Sequence, residues 1–255
     1  MMHPRIIPCL LLKDKNLYKT VQFKNPVYIG DPINAIKILN DKQADELIFL
    51  DIEASSQNKA PDFKMIEDIA SECFMPVCYG GGIRSIADIK RILNLGIEKI
   101  SISSLATRNP DFVKEASSVF GSQSIVVCVD VKKPIWGKYE VVIHNAKKTT
   151  GWDPFDFALK MQEKGAGELI VNSVDRDGTM KGYDIALIKR ISNSLSIPLV
   201  ACGGAGSLND IAQVIKDGNA SSAAAGSLFV FYGPHKAVLV NYPNEEDLKS
   251  FPGVL

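Results

Sequence analysis

Asp130 closes the apolar run Ser124-Ile125-Val126-Val127-Cys128-Val129, and a carboxylate at the end of a buried strand can give or take a proton. A run of the same character near the start, Ile6-Ile7-Pro8-Cys9-Leu10-Leu11-Leu12, ends in leucine. A lone acid at a strand end also serves as the cap of the next helix, so pattern alone leaves Asp130 open between the two roles. Asp177 is a second acid placed at a strand end. Gly80-Gly81-Gly82 and Gly203-Gly204 each follow an apolar run and precede a helical pattern opened by serine. Such turns let a ligand approach the backbone, and the helix N-terminus behind them favours phosphate. Ser103-Ser104 and Gly226-Ser227 end the next strands and complete two cups. Tight connections needing φ > 0 would use the same glycines. The symmetric pairing favours a substrate with a phosphate at each end.

Four charges lie at the opposite ends of strands. Arg5, Glu46, Lys99 and Glu168 each stand at, or just before, the first residue of an apolar run. In a closed barrel they fall on one rim, where two bases and two acids can form a neutral ring. Such a ring is weak evidence for stability, because desolvation offsets attraction. Four unrelated solvated charges are the alternative.

The elements that position these residues follow from hydrophobic periodicity. Strands are expected near 5–11, 46–52, 75–79, 98–103, 124–130, 168–173, 197–202 and 220–226, with helical spacing between them, as in Ser85 to Leu93. Strand–helix alternation with continuous apolar strands implies a parallel sheet covered by helices. Eight strands in 255 residues fit an α/β fold of the (β/α)8 TIM-barrel type. The halves repeat: 76–96 matches 198–218 at an offset of 122, placing Gly82, Ser85 and Asp88 on Gly204, Ser207 and Asp210. The same offset places Glu46 on Glu168, and near the start of each half an offset of 119 puts Leu11 on Asp130. The expectation is one domain over 1–255, made of half-barrels of about 1–120 and 121–255.

Composition narrows the function classes. With 29 basic and 29 acidic residues, no net field recommends nucleic acid or an anionic membrane. The five cysteines include no CxxC pair, so they read as reduced and buried, with no metal role. No segment approaches the length needed to span a bilayer, and the start lacks the apolar core of a signal peptide. The expectation is a soluble cytoplasmic protein with no cofactor.

Taken together, "RIIPCL", "GDP", "ADELIFLDIEASS", "GGGIRS", "RNP", "FGSQSIVV", "DRDGTMKGYD", "CGGAGSL" and "FVF" resemble the HisF family, the cyclase subunit of imidazole glycerol phosphate synthase. The resemblance covers nearly the whole chain. It implies a (β/α)8 barrel binding a bis-phosphorylated substrate across its mouth. It also implies a HisH-like glutaminase docked on the floor as a heterodimer, with ammonia passing through the interior. Carried over, the phosphate cups fall on Gly82, Ser103 and Ser104, and on Asp177, Gly178, Gly204, Gly226 and Ser227. Lys19 falls on the substrate loop. The ammonia gate falls on Arg5, Glu46, Lys99 and Glu168, and the glutaminase interface on Glu98 and Gln123. The family's catalytic pair is an aspartate at the ends of strands one and five. Asp130 matches the second, and Leu11 occupies the place of the first. Ser103 and Asn172 stand where the family has asparagine and threonine. The ending "FVFYGPHKAVLVNYP" does not read as a last helix, since Gly233-Pro234 and Pro243 interrupt it. It resembles the WbuZ-type paralogues of surface-polysaccharide clusters, where ammonia goes to a sugar amidotransferase. The resemblance thus implies a gate and channel without cyclase chemistry. A working cyclase recruiting Asp51 or Asp177, or a non-catalytic partner that only activates a glutaminase, are the alternatives.

Overall fold

The computed structural model describes residues 4–134 and 137–249, so part of the N-terminal stretch read above for a signal peptide, residues 1–3, lies outside it. Apolar runs become strands buried on both faces. In β1 (Arg5–Lys13), Ile6 faces the surrounding helices and Ile7 the barrel interior. The same alternation holds in β2 (Leu47–Asp51), β5 (Ile125–Lys132) and β6 (Glu168–Ser173), because successive side chains point to opposite faces. With β3 (Val77–Gly80), β4 (Lys99–Ile102), β7 (Leu199–Cys202) and β8 (Ser222–Ala225), these strands pair in parallel, each with the next. β8 returns to β1 with Arg5 opposite Ser222, so the sheet closes. This is the expected (β/α)8 barrel.

Amphipathic helices cover the outside, and their starts are fixed by polar caps. The helices Ile86–Asn94 and Leu208–Lys216 open with the same capping box. Ser85 Oγ accepts from Asp88 N while the Asp88 carboxylate accepts from Ser85 N, and Ser207 and Asp210 repeat the exchange. Both glycine turns are thereby anchored on their helical side.

Simple strand–helix alternation fails in two places. β1 does not stop at Leu11; it runs to Lys13 and pairs with Asn16–Val21, which pairs in turn with Lys24–Gly30. β5 likewise pairs with Glu140–Ile143, which pairs with Lys148–Thr149. β1 and β5 therefore each carry antiparallel strands over the mouth. Asp14 and Lys15 (φ 45 and 65°), then Gln22 and Phe23 (φ 51 and 61°), make the two turns of the first hairpin in the left-handed region.

After the short helix Ser227–Val230 the chain forms a small hairpin, Phe231–Tyr232 with Ala237–Val238, and later a helix, Glu245–Lys249. No long last helix forms before it. Buried Tyr242 ties this segment to the floor, its hydroxyl 2.9 Å from the Ile6 carbonyl and 3.2 Å from Asp45 Oδ2. Among the described residues, no helix is long and apolar enough to cross a membrane.

Candidate functional site

The four floor charges form a closed ring. Arg5 pairs with Glu46 through one guanidinium nitrogen and with Glu168 through the other. Lys99 Nζ lies 2.9 Å from Glu46 Oε1 and 3.0 Å from Glu168 Oε2. Each acid thus meets both bases. Glu46 and Glu168 are buried, whereas Arg5 keeps 30% of its side-chain surface exposed, so the ring faces outward through its bases. Burial opposes the Arg5 charge, but Glu168 and Glu46 outweigh it and hold the guanidinium above its ordinary pKa. Ser222 Oγ accepts from Arg5 Nε at 3.2 Å and fixes the fork, a contact that sequence reading missed. Glu98 and Gln123 are both exposed at this end, Glu98 Oε2 accepting from Val77 N at 2.8 Å.

Above the ring the interior is filled by aliphatic and thiol side chains. Ile7, Ile48, Val126, Ile170, Val200 and Ala224 form one cluster with Cys9, Cys78, Cys128 and Cys202. None carries a formal charge. Burial holds the Cys78 and Cys128 thiols well above the usual range, and the adjacent Cys9 with burial does the same for Cys202.

The C-terminal strand ends enclose a cavity of about 360 Å³. Asp130 stands in its wall, half-buried, with Asn172 Nδ2 donating to Oδ1 at 3.1 Å from the facing register position. Burial pushes this carboxyl up to about 7, although the Asn172 hydrogen bond works the other way. Leu11 lines the same cavity and offers no group for proton transfer. Asp51 is engaged locally, Oδ1 accepting from Glu53 N and Ala54 N at 3.0 and 2.9 Å, and burial raises its pKa. Asp177 is held by Lys19, whose Nζ lies 2.8 Å from Oδ1 and 2.8 Å from the Thr20 carbonyl.

The cavity wall brings together Ser103, Ser104, Asp177, Gly178, Gly204, Gly226 and Ser227, with Lys19 among them. Gly82 is set behind the wall instead. Its N–H donates to Ser55 Oγ at 3.3 Å, and a β-carbon there would lie 2.9 Å from the Lys59 carbonyl, so the segment after β2 covers it. That turn offers Gly80 and Gly81 to the cavity in its place. Sequence reading missed Lys13, His144, Asn145 and Lys147, which the two hairpins carry to the mouth. The β-branched run Val141-Val142-Ile143 was the available signal.

The model of the histidine biosynthesis protein family matches residues 5–235. A Leptospira borgpetersenii protein, named provisionally as imidazole glycerol phosphate synthase subunit HisF, is 52% identical over 254 residues, covering 99% of this chain and 100% of the relative. A Pseudomonas aeruginosa protein, named provisionally as subunit hisF2 of the same synthase, is 47% identical over 248 residues, covering 97% and 99%. A Leptospira interrogans protein with the HisF name is 50% identical over 248 residues, covering 97% and 98%. The chain belongs to the histidine biosynthesis protein family and, within it, to the HisF family.

Proposed function

We propose that this HisF-family barrel pairs with a glutaminase at its floor and passes ammonia through its interior to the mouth, with cyclase chemistry lost. The ammonia then serves a sugar amidotransferase of the surface-polysaccharide type. The observation that carries the reading is the contrast between the two ends. The ring of Arg5, Glu46, Lys99 and Glu168 closes the floor beneath an uncharged column, while the mouth pairs Asp130 with Leu11. The mutual contacts of the ring seal the floor, and its long flexible side chains can part for a molecule the size of ammonia. Lysines and glycine turns around the mouth suit a phosphate-bearing ligand.

Reconstitution with the glutaminase and the sugar amidotransferase tests the reading. Lys99→Ala is expected to change glutamine-dependent product formation and leave the reaction with added ammonium as it is. Equal change in both reactions, or in neither, overturns the channel. The cyclase half is tested separately, by supplying the purified barrel with ammonium and the phosphoribulosylformimino-aminoimidazole ribonucleotide. A turnover lower by about 10²–10⁴ than that of a relative with both aspartates is expected, the usual weight of one acid/base group. A second reading, an active cyclase, draws support from Asp51, a cavity carboxyl whose pKa burial raises. Full turnover that Asp51→Asn abolishes would establish it.

A further inference from the structure

The mouth cavity contains two kinds of chemistry. Its rim carries lysines and backbone N–H groups, which suit anions. Around Asp130 the acceptors exceed the donors: the Asn172 amide and, weakly, the Cys128 thiol both donate to Oδ1. Asn172 spends its N–H on Asp130, which leaves its own oxygen free for a donor. Asn172 is 6% exposed, and Oδ1 has no hydrogen-bond partner among the described residues. A buried polar atom left unsatisfied costs about 1–3 kcal/mol, so folds rarely keep one without a use.

Gly203 supplies a second, independent observation. A β-carbon at this residue would lie 2.6 Å from Asn172 Oδ1. Glycine there, at φ +87°, keeps the space beside the oxygen open. The nearby cavity residues Leu11, Leu50, Cys128 and Cys202 bring no strong donor. An anion beside Asp130 and an amide oxygen would be repelled. A small molecule made of N–H donors would be held.

We propose that Asn172 and Asp130 form a binding site for ammonia or ammonium at the inner end of the mouth cavity. Asn172 Oδ1 accepts one N–H bond, and the Asp130 carboxylate accepts another. The physiological source of the ligand rests on the ammonia reading above; the site itself is tested without it. Ammonium favours the charged carboxylate, so its binding and the ionisation of Asp130 are linked.

The test is carbon-13 NMR of the Asp130 carboxyl in the full chain, titrated with pH in ammonium chloride and in equal potassium or tetramethylammonium chloride. Besides Asn172, the groups acting on this carboxyl are Asp177 and the Cys128 thiol, and neither is altered. The midpoint is expected to fall by about 1 unit in ammonium, as beside an opposite charge, and to stay put in the other salts. Asn172→Leu, with the same heavy-atom branching but no oxygen, is expected to abolish the fall, and Asn172→Thr to keep part of it. Should Asn172→Leu not fold, Asn172→Ala makes the same comparison. An equal shift in potassium, or a full shift without the amide oxygen, overturns the site. Failure of the channel is read independently from Lys99→Ala, so ammonium binding can survive while channelling fails, and the reverse.

Discussion

Lys19 Nζ lies 2.8 Å from Asp177 Oδ1, and this contact joins the hairpin after β1 to the segment after β6. Gln22 N adds a bond of 2.9 Å to the Asp177 carbonyl. Removing one partner of a buried pair leaves the other charge uncompensated, at about 3–5 kcal/mol. Lys19→Met is therefore expected to loosen the hairpin selectively. Hydrogen exchange should speed up at least about tenfold over Asn16–Gly30, since each 1.4 kcal/mol is a factor of ten, and stay unchanged in β5 and β6. Gly178→Ala should do the same, because φ is +72° and its β-carbon would meet the Thr20 carbonyl.

Asp130 should make stability fall as pH rises. Its carboxyl titrates near 7 in the folded chain and near 3.8 without the fold, so the folded chain binds the proton more tightly in between. The loss begins above about pH 4 and is complete above about pH 7, reaching at most about 4 kcal/mol, less for a half-buried group. Asp130→Asn should therefore raise the denaturant midpoint at pH 8 and leave it unchanged at pH 4. Equal effects at both would mean that the carboxyl is not held high.

The floor ring should be strongly non-additive. Glu168→Leu leaves Lys99 with half its partners, and Lys99→Met does the same to Glu168. Each is expected to destabilise by several kcal/mol, about 3–5 for a broken buried pair. The double substitution keeps Arg5 with Glu46 and should cost clearly less than the two singles combined. A denaturation cycle of the four proteins measures this.

The thiols should be slow. Cys78, Cys128 and Cys202 are buried, and burial pushes partly exposed Cys73 up to about 12. The thiolate is the reactive form, so Ellman's reagent at pH 7.5 should label these four at a small fraction of the rate of free cysteine. All five cysteines should react once the chain is unfolded.

The barrel was legible because its signal is local. All eight strands fall within two residues of where the apolar runs put them. The ring was legible for the same reason, since a charge at a strand start has one rim to occupy. The first hairpin was not, because its turns use Asp14-Lys15 and Gln22-Phe23 instead of the Asn-Gly that announces a tight turn. The place of Gly82 was hidden too. Its covering comes from Ser55 and Lys59, and no spacing in the sequence brings them there. The hold of Lys19 on Asp177 spans 158 residues and depends on barrel closure.

A closed sheet has no free edge, but the first hairpin gives this one an edge again. Among the described residues, Lys24–Gly30 pairs on one side only, with Val27 and Tyr28 about half exposed. Open strands invite pairing between molecules, and folds blunt them with lysine, proline and kinks. Lys24, Asn25 at φ 51° and Pro26 stand at the start of this strand, so the mouth's cover also keeps one copy from templating on another.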